Sequence, residues 1–146
     1  MRNKQAIWFE CGVRFETVAE DGTNKKVREV HVVNGLTFGE AYNNIIEESP
    51  YISSGEVEVT SMKVAPYSII VYDEDNRCER YYVVKAALIT IDERTNKEKR
   101  SNVYMLVEAD SVDNARKLTD KYFDDCMISY EIMAVKDTKI IAFYHR

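Results

Sequence analysis

Two prolines, five glycines, three cysteines and two histidines are all that 146 residues hold of the types that punctuate, staple or ligate a chain. So little Pro and Gly leaves no room for linkers or low-complexity tracts, and a single domain over residues 1–146 is expected. Cys11, Cys78 and Cys126 are odd in number and lack CxxC spacing. They suggest neither a disulfide framework nor a zinc cage, and reduced thiols fit the cytosol. A secretory leader needs a basic start and an apolar run of about 7 to 15 residues, but Ala6, Ile7, Trp8 and Phe9 are followed at once by Glu10. No run approaches the roughly 20 apolar residues of a membrane span. A cytoplasmic protein with no membrane partner is expected.

What is present is a chain patterned for a core. It is 45% hydrophobic and 31% charged, with 20 Lys plus Arg against 25 Asp plus Glu and a net charge of −5. Phe9, Cys11, Val13 and Phe15 alternate with Glu10, Gly12, Arg14 and Glu16, the period of a half-buried strand. The turn Glu20-Asp-Gly-Thr-Asn24 leads to a second run, Lys25 to Val33, so a hairpin is predicted. Thr37-Phe-Gly-Glu40 fits a capping box. It opens a helix whose apolar stripe is Phe38, Ala41, Tyr42 and Ile45, with Pro50 ending it. Strands over Glu56 to Val64 and Ser68 to Asp73 complete a ββαββ unit.

The order then returns. A strand from Arg80 to Asp92, a polar loop Glu93 to Arg100, and a strand Asn102 to Val107 precede a helix capped by Ser111 and striped by Val112, Ala115, Thr119 and Tyr122. Ile128 to Val135 and Ile140 to Tyr144 are the last strands. Trp8 with Tyr82, Val30 with Tyr104, Thr37 with Ser111 and Ala41 with Ala115 match at an offset of 74. Near the ends Met62, Val64, Ile69 and Ile70 match Met133, Val135, Ile140 and Ile141 at 71. The alternation changes phase in both third strands, which predicts a bulge in each. The expectation is an α+β fold of two ββαββ repeats, residues 6–73 and 80–144, with antiparallel sheets packed on two helices.

Trp8-Phe-Glu-Cys-Gly-Val-Arg-Phe15, Leu36-Thr-Phe-Gly-Glu-Ala41, Pro50-Tyr-Ile-Ser, Glu56-Val-Glu-Val-Thr60, Ala65-Pro-Tyr-Ser-Ile69 and Ile91-Asp-Glu, spread over most of the chain, resemble a family known as domain of unknown function 4494. The resemblance implies a setting in gut anaerobes and their bacteriophages. It assigns no catalytic or binding residue. Gly12 stands where relatives carry a basic residue, which weakens any positive face on the first strand.

No phosphate-cradling glycine loop, nucleophile elbow or zinc-protease motif occurs. His31 lies within a predicted strand and His145 is penultimate, so neither is read as a ligand. Cys11 shares the apolar strand face with Phe9 and Val13 and reads as core. Asp73-Glu-Asp75 reads as a solvated joint between repeats, and Asp120, Asp124 and Asp125 oppose the dipole of the second helix. No catalytic residue, metal or cofactor is assigned. Two sets of candidates remain. Trp8, Tyr81 and Tyr82 could form an aromatic patch for a protein partner or a homodimer. Lys25, Lys26 and Arg28, with Arg94, Lys97, Lys99 and Arg100, place basic side chains at both hairpin ends, where phosphates could be met. The reading is a non-catalytic binding or adaptor protein of a phage or mobile element, with a nucleic-acid-binding accessory factor as the alternative.

Overall fold

A computed structural model describes residues 2–146. Nine strands and two helices follow in the order β1 (Arg2–Gln5), β2 (Trp8–Val18), β3 (Asn24–Asn34), α1 (Phe38–Ile52), β4 (Glu58–Val64), β5 (Ile69–Tyr72), β6 (Arg80–Asp92), β7 (Lys97–Ala109), α2 (Val112–Cys126), β8 (Tyr130–Asp137) and β9 (Ile140–Tyr144). The α+β class is as the sequence predicts. The chain divides into two compact units, each gathered from two stretches: the residues up to Gln5 with Pro66–Thr138, and Ala6–Ala65 with Lys139–Arg146.

The unit containing α1 has a sheet ordered β4-β2-β3-β9. Its helix-side core joins Phe9, Cys11 and Val13 of β2 to Val33 of β3 and to Ala41 and Ile45 of α1. Thr37 caps α1 by accepting the Glu40 N–H at 3.1 Å. Pro50 does not end this helix, which runs on to Ile52. A proline in the last turn forfeits a single backbone bond, and its fixed φ is helical. Gly35 lies where an added Cβ would stand 2.8 Å from Ala41 N and 3.0 Å from its Cα, so the entry to the helix can pass only without a side chain. The unit containing α2 has a sheet ordered β1-β5-β7-β6-β8. Tyr82, Val84 and Ala86 of β6, Met105 and Val107 of β7, and Ala115 and Phe123 of α2 form its helix-side core.

Both sheets are mixed rather than purely antiparallel. β9 pairs β3 in parallel, and β5 pairs β7 in parallel. The predicted ββαββ stretches therefore do not close on themselves, because each fourth strand joins the sheet built around the other stretch's hairpin. Ile69-Ile-Val-Tyr72 shows why. A strand apolar without alternation belongs inside a sheet, and β5 lies between β1 and β7.

The two sheets repeat each other in register. Phe9 opposite Val33 corresponds to Tyr82 opposite Val107, and Val71 opposite Val107 to Tyr144 opposite Val33. The offset is thus 82 − 9 = 73 and 144 − 71 = 73 in those strands, against 107 − 33 = 74 in the strand between. The predicted third-strand bulges are present. In β4, Thr60 is the extra residue between Ser61 opposite Gly12 and Val59 opposite Val13. In β8, Met133 is extra between Ala134 opposite Lys85 and Ile132 opposite Ala86. Gly12 lies at the first bulge, where a Cβ would stand 2.4 Å from Ser61 Oγ, a contact that rotation of the serine side chain can relieve.

Candidate functional site

The aromatic candidates are not a surface. Trp8 and Tyr82 are 0% exposed and Tyr81 is buried with them. Trp8 meets Phe143 edge-on at 6.1 Å and His145 at 5.6 Å between ring centroids. Tyr82 lies in the core beneath α2, with the Arg80 guanidinium 5.3 Å above its ring. The offset of 74 that pairs Trp8 with Tyr82 is one residue too long. A one-residue slip exchanges the faces of a strand, and the residue that corresponds to Tyr82 is Phe9.

Tyr81 leads to a buried carboxylate in its unit. Glu108, at the end of β7, is 1% exposed. It accepts bonds from Arg77 Nε at 2.7 Å and Nη2 at 2.9 Å, from the Cys78 N–H at 2.9 Å and from Tyr81 Oη at 2.7 Å. Burial alone would raise its pKa. The guanidinium, the amide and the phenol outweigh that and hold the carboxyl below its ordinary range. Tyr81 is driven the other way, first by burial and then by the carboxylate it serves. The function of this cluster is to tie the segment after β5 to the end of β7.

The α1 unit makes the same tie with neutral groups. Asn34, 74 residues before Glu108, donates to Arg146 O at 2.7 Å and accepts the Arg146 N–H at 2.7 Å. The Arg146 guanidinium reaches Glu47 and Glu48 on α1. His31 is buried and joins Tyr144 Oη at 2.9 Å through Nδ1 and Glu29 at 3.0 Å through Nε2, pinning β9 to β3.

Chemical readiness is absent from the groups whose acidity is displaced. Burial raises the Cys11 thiol to about 11. Cys78, beside a groove of about 380 Å³ lined by Asp73, Asp110, Lys117 and Lys121, is raised by burial and by Asp110, Glu108 and Asp73. Asp73 and Asp110 are lowered chiefly by side-chain bonds from Asn76 and Asn114. Each shift moves its group away from neutral pH, the reverse of what acid–base or thiolate catalysis requires. Among the described residues no three His, Cys, Asp or Glu side chains stand together to hold a metal ion.

The basic candidates lie on two projecting ribbons. β8 pairs with β6 only as far as Leu88, Ser129 still accepts the Ile89 N–H, and every residue from Thr90 to Asn102 is exposed. The turn is Glu93–Asn96, and Lys97, Lys99 and Arg100 belong to β7 rather than to a loop. Arg100 is bound to Glu131. Lys97 opposite Asp92 and Lys99 opposite Thr90 share one face. In the other unit Lys26 and Arg28 share a face, with Arg14 directly opposite Arg28 and drawn to Glu58, while Lys25 points to the other side. Lys25, Lys26, Lys97 and Lys99 hold no ion pair among the described residues.

Sequence reasoning misplaced one surface. Phe38 and Tyr42 were expected beneath α1, yet Phe38 is 53% exposed and Tyr42 is exposed with it. Phe38 rests on Phe9 at 5.0 Å, and Val64, opposite Phe9 on β4, is exposed too. Leu36, 77% exposed, precedes the helix, and Ile7 accepts the N–H of Gly35 beside it. The signal was available: the apolar residues of α1 span an arc wider than Ala41 and Ile45 need for one sheet face.

Nothing among curated proteins or solved structures matches the chain. A family model does, over residues 7–146, and by that match the chain belongs to the family described as Domain of unknown function (DUF4494).

Proposed function

We propose that this chain is a non-catalytic binding or adaptor protein, set in a phage or mobile element as its family resemblance implies. The observation that carries the reading is the exposed apolar flank of α1: Phe38 and Tyr42 lie one turn apart and exposed on the helix, Phe38 rests on Phe9, exposed Val64 is opposite Phe9, and exposed Leu36 just precedes the helix. Contiguous apolar surface of this kind marks interaction sites on soluble proteins. The displaced pKa values support a role without acid–base chemistry. The recurrence of register and bulges supports an origin by internal duplication. The test is capture from a native host lysate with wild-type protein and with Phe38→Asp, each checked for folding by circular dichroism. A protein retained by the first and lost by the second is expected. Identical captures would overturn the reading.

The unpaired lysines favour a second reading, an accessory factor that meets phosphates along a ribbon. A two-stranded ribbon fits the major groove of DNA, and Lys97 and Lys99 lie on one face of such a ribbon. Binding should weaken steeply with salt, because neutralised phosphates release counterions. Changing Lys25, Lys26, Lys97 and Lys99 to Glu should abolish it. No binding by the wild-type chain at low salt would remove this reading.

A further inference from the structure

We infer that the groove at the carboxyl ends of β5 and β7 binds a small zwitterion, an amino acid or dipeptide whose carboxylate meets Lys117 and Lys121 and whose ammonium meets Asp73 and Asp110. β5 and β7 are parallel neighbours. Asp73 directly follows the first and Asp110 the second, and α2 begins two residues after Asp110. The groove of about 380 Å³ is therefore walled by two strand ends and one face of the helix, with Ala109 and Leu118 as its apolar lining. Crevices outside the carboxyl ends of parallel strands are where open sheets take their ligands.

The α1 unit shows the corresponding place closed. Arg146 lies two residues beyond Tyr144 as Asp73 lies two beyond Val71, an offset of 146 − 73 = 73, and Glu47 corresponds to Lys121 at 121 − 47 = 74. Arg146 and Glu47 form an ion pair, and Glu48 takes the same guanidinium at 2.6 Å. Asp73 and Lys121 are that pair with the signs exchanged, and they do not meet. Asp73, Asp110, Lys117 and Lys121 all line the groove, and none of the four holds an ion pair among the described residues. An aspartate is far shorter than an arginine, so what one side chain spans in the α1 unit stays open in the α2 unit.

The charges that face this opening select a ligand of both signs. Side-chain bonds from Asn76 and Asn114 keep Asp73 and Asp110 ionised at neutral pH. A carboxylate has about four acceptor sites. Asp73 uses two, for the Asp75 N–H at 3.0 Å and the Asn76 amide at 3.3 Å, which leaves room for an ammonium. Lys117 and Lys121 are like charges one helical turn apart, an arrangement that favours a shared anion. Asp113 and Asp125, four residues before and after them, form no ion pair with either. With two charges of each sign the lining is neutral in sum. An anion alone is repelled by the strand-end carboxylates and a cation alone by the lysines, whereas a zwitterion satisfies both ends. Asn114 bonds Asp110. Lys117 and Lys121 stand three and seven residues beyond it, roughly 4.5 and 10.5 Å along the helix at about 1.5 Å per residue. An amino acid spans the shorter distance and a dipeptide the longer.

Calorimetric titration of the full chain with L-leucine and with alanyl-leucine separates the two sizes, the leucine side chain being chosen to lie on Ala109 and Leu118. At least one of them should bind in the millimolar range or tighter. N-acetylleucine lacks the ammonium and leucinamide lacks the carboxylate, and each should bind about tenfold more weakly than leucine. Lys117→Ala combined with Lys121→Ala, both at exposed positions, should abolish binding with an unchanged circular dichroism spectrum. Arg116→Ala, beside them but outside the groove, should leave it intact. As a second measure, the bound zwitterion should slow alkylation of Cys78, whose side chain lines the groove, and leave that of the exposed Cys126 unchanged when both are followed by mass spectrometry. No binding of either zwitterion would overturn the inference. So would equal binding of N-acetylleucine or leucinamide, or binding that survives loss of both lysines and leaves Cys78 unprotected.

Discussion

Tyr82 stands opposite Val107 in one sheet as Phe9 stands opposite Val33 in the other, and the hydroxyl that distinguishes them is buried with no hydrogen-bond partner among the described residues. A buried polar group left unbonded costs about 1 to 3 kcal/mol. Phenylalanine already serves at the corresponding place. Tyr82→Phe should therefore hold stability or raise it by about 1 kcal/mol in urea unfolding. A loss of that size would mean that an ordered water bonds the hydroxyl.

The same pair shows where sequence reading succeeds and where it stops. Hairpins, helix caps and both bulges follow from local signals: period-two alternation, Thr37 and Ser111 ahead of apolar runs, and a phase change along β4 and β8. The face that each aromatic takes does not follow. Trp8 and Phe9 are adjacent, both apolar and both buried, so alternation cannot say which faces the helix. The parallel pairing of β5 with β7 and of β9 with β3 is equally hidden, because no sequence-local signal records a partner strand tens of residues away. The Glu108 cluster escaped for a related reason. Arg77, Cys78 and Tyr81 lie about 30 residues from the carboxylate they serve, and a lone Glu near the end of a strand looks like surface. β1 is a polar strand, and nothing in Arg2-Asn-Lys-Gln5 announces it.

Glu108 should dominate the acid limb of stability in its unit. Its folded pKa lies below the ordinary value of 4.5. Its contribution is therefore present above that value and is lost as pH falls through the folded pKa. Glu108→Gln should flatten the fall in stability below about pH 4.5. At neutral pH it should cost about 2 kcal/mol, because an amide cannot accept from Arg77, Cys78 and Tyr81 together. An unchanged acid limb would show that Arg77, whose side chain is about half exposed, leaves the carboxylate too freely for the pair to matter.

The pin between His31 and Tyr144 should govern the last strand of the α1 sheet. The two rings stack within 8° of parallel at 5.7 Å, and the phenol is bonded to Nδ1. Burial, with Glu48 and Glu29 nearby, pushes the Tyr144 hydroxyl up to about 12, so it stays protonated at any physiological pH. Tyr144→Phe keeps the stacking and removes only the bond, at about 0.5 to 1.5 kcal/mol. Hydrogen exchange should quicken in residues 140–144 and along β3, and should leave β6 and β7 unchanged. Equal protection in the variant would assign the anchoring of β9 to Asn34 and Arg146 instead.

Gly35 offers the sharpest steric test, because its counterpart 74 residues on is Ala109, buried without difficulty at the end of β7. In the α1 unit the methyl group has no such room. It would press on the backbone N and Cα of Ala41, a helix residue itself held by a bond to the Thr37 carbonyl. Rotation of a side chain cannot relieve a clash with backbone, so α1 must shift on its sheet. Overpacking of this kind costs about 1 to 3 kcal/mol. Gly35→Ala should lose that much in urea unfolding. Ala41→Gly in the same chain should recover only part of it, since the methyl contact disappears while the backbone contact remains. Full tolerance of Gly35→Ala would show that the link between β3 and α1 yields, and that the glycine there is not required for close approach.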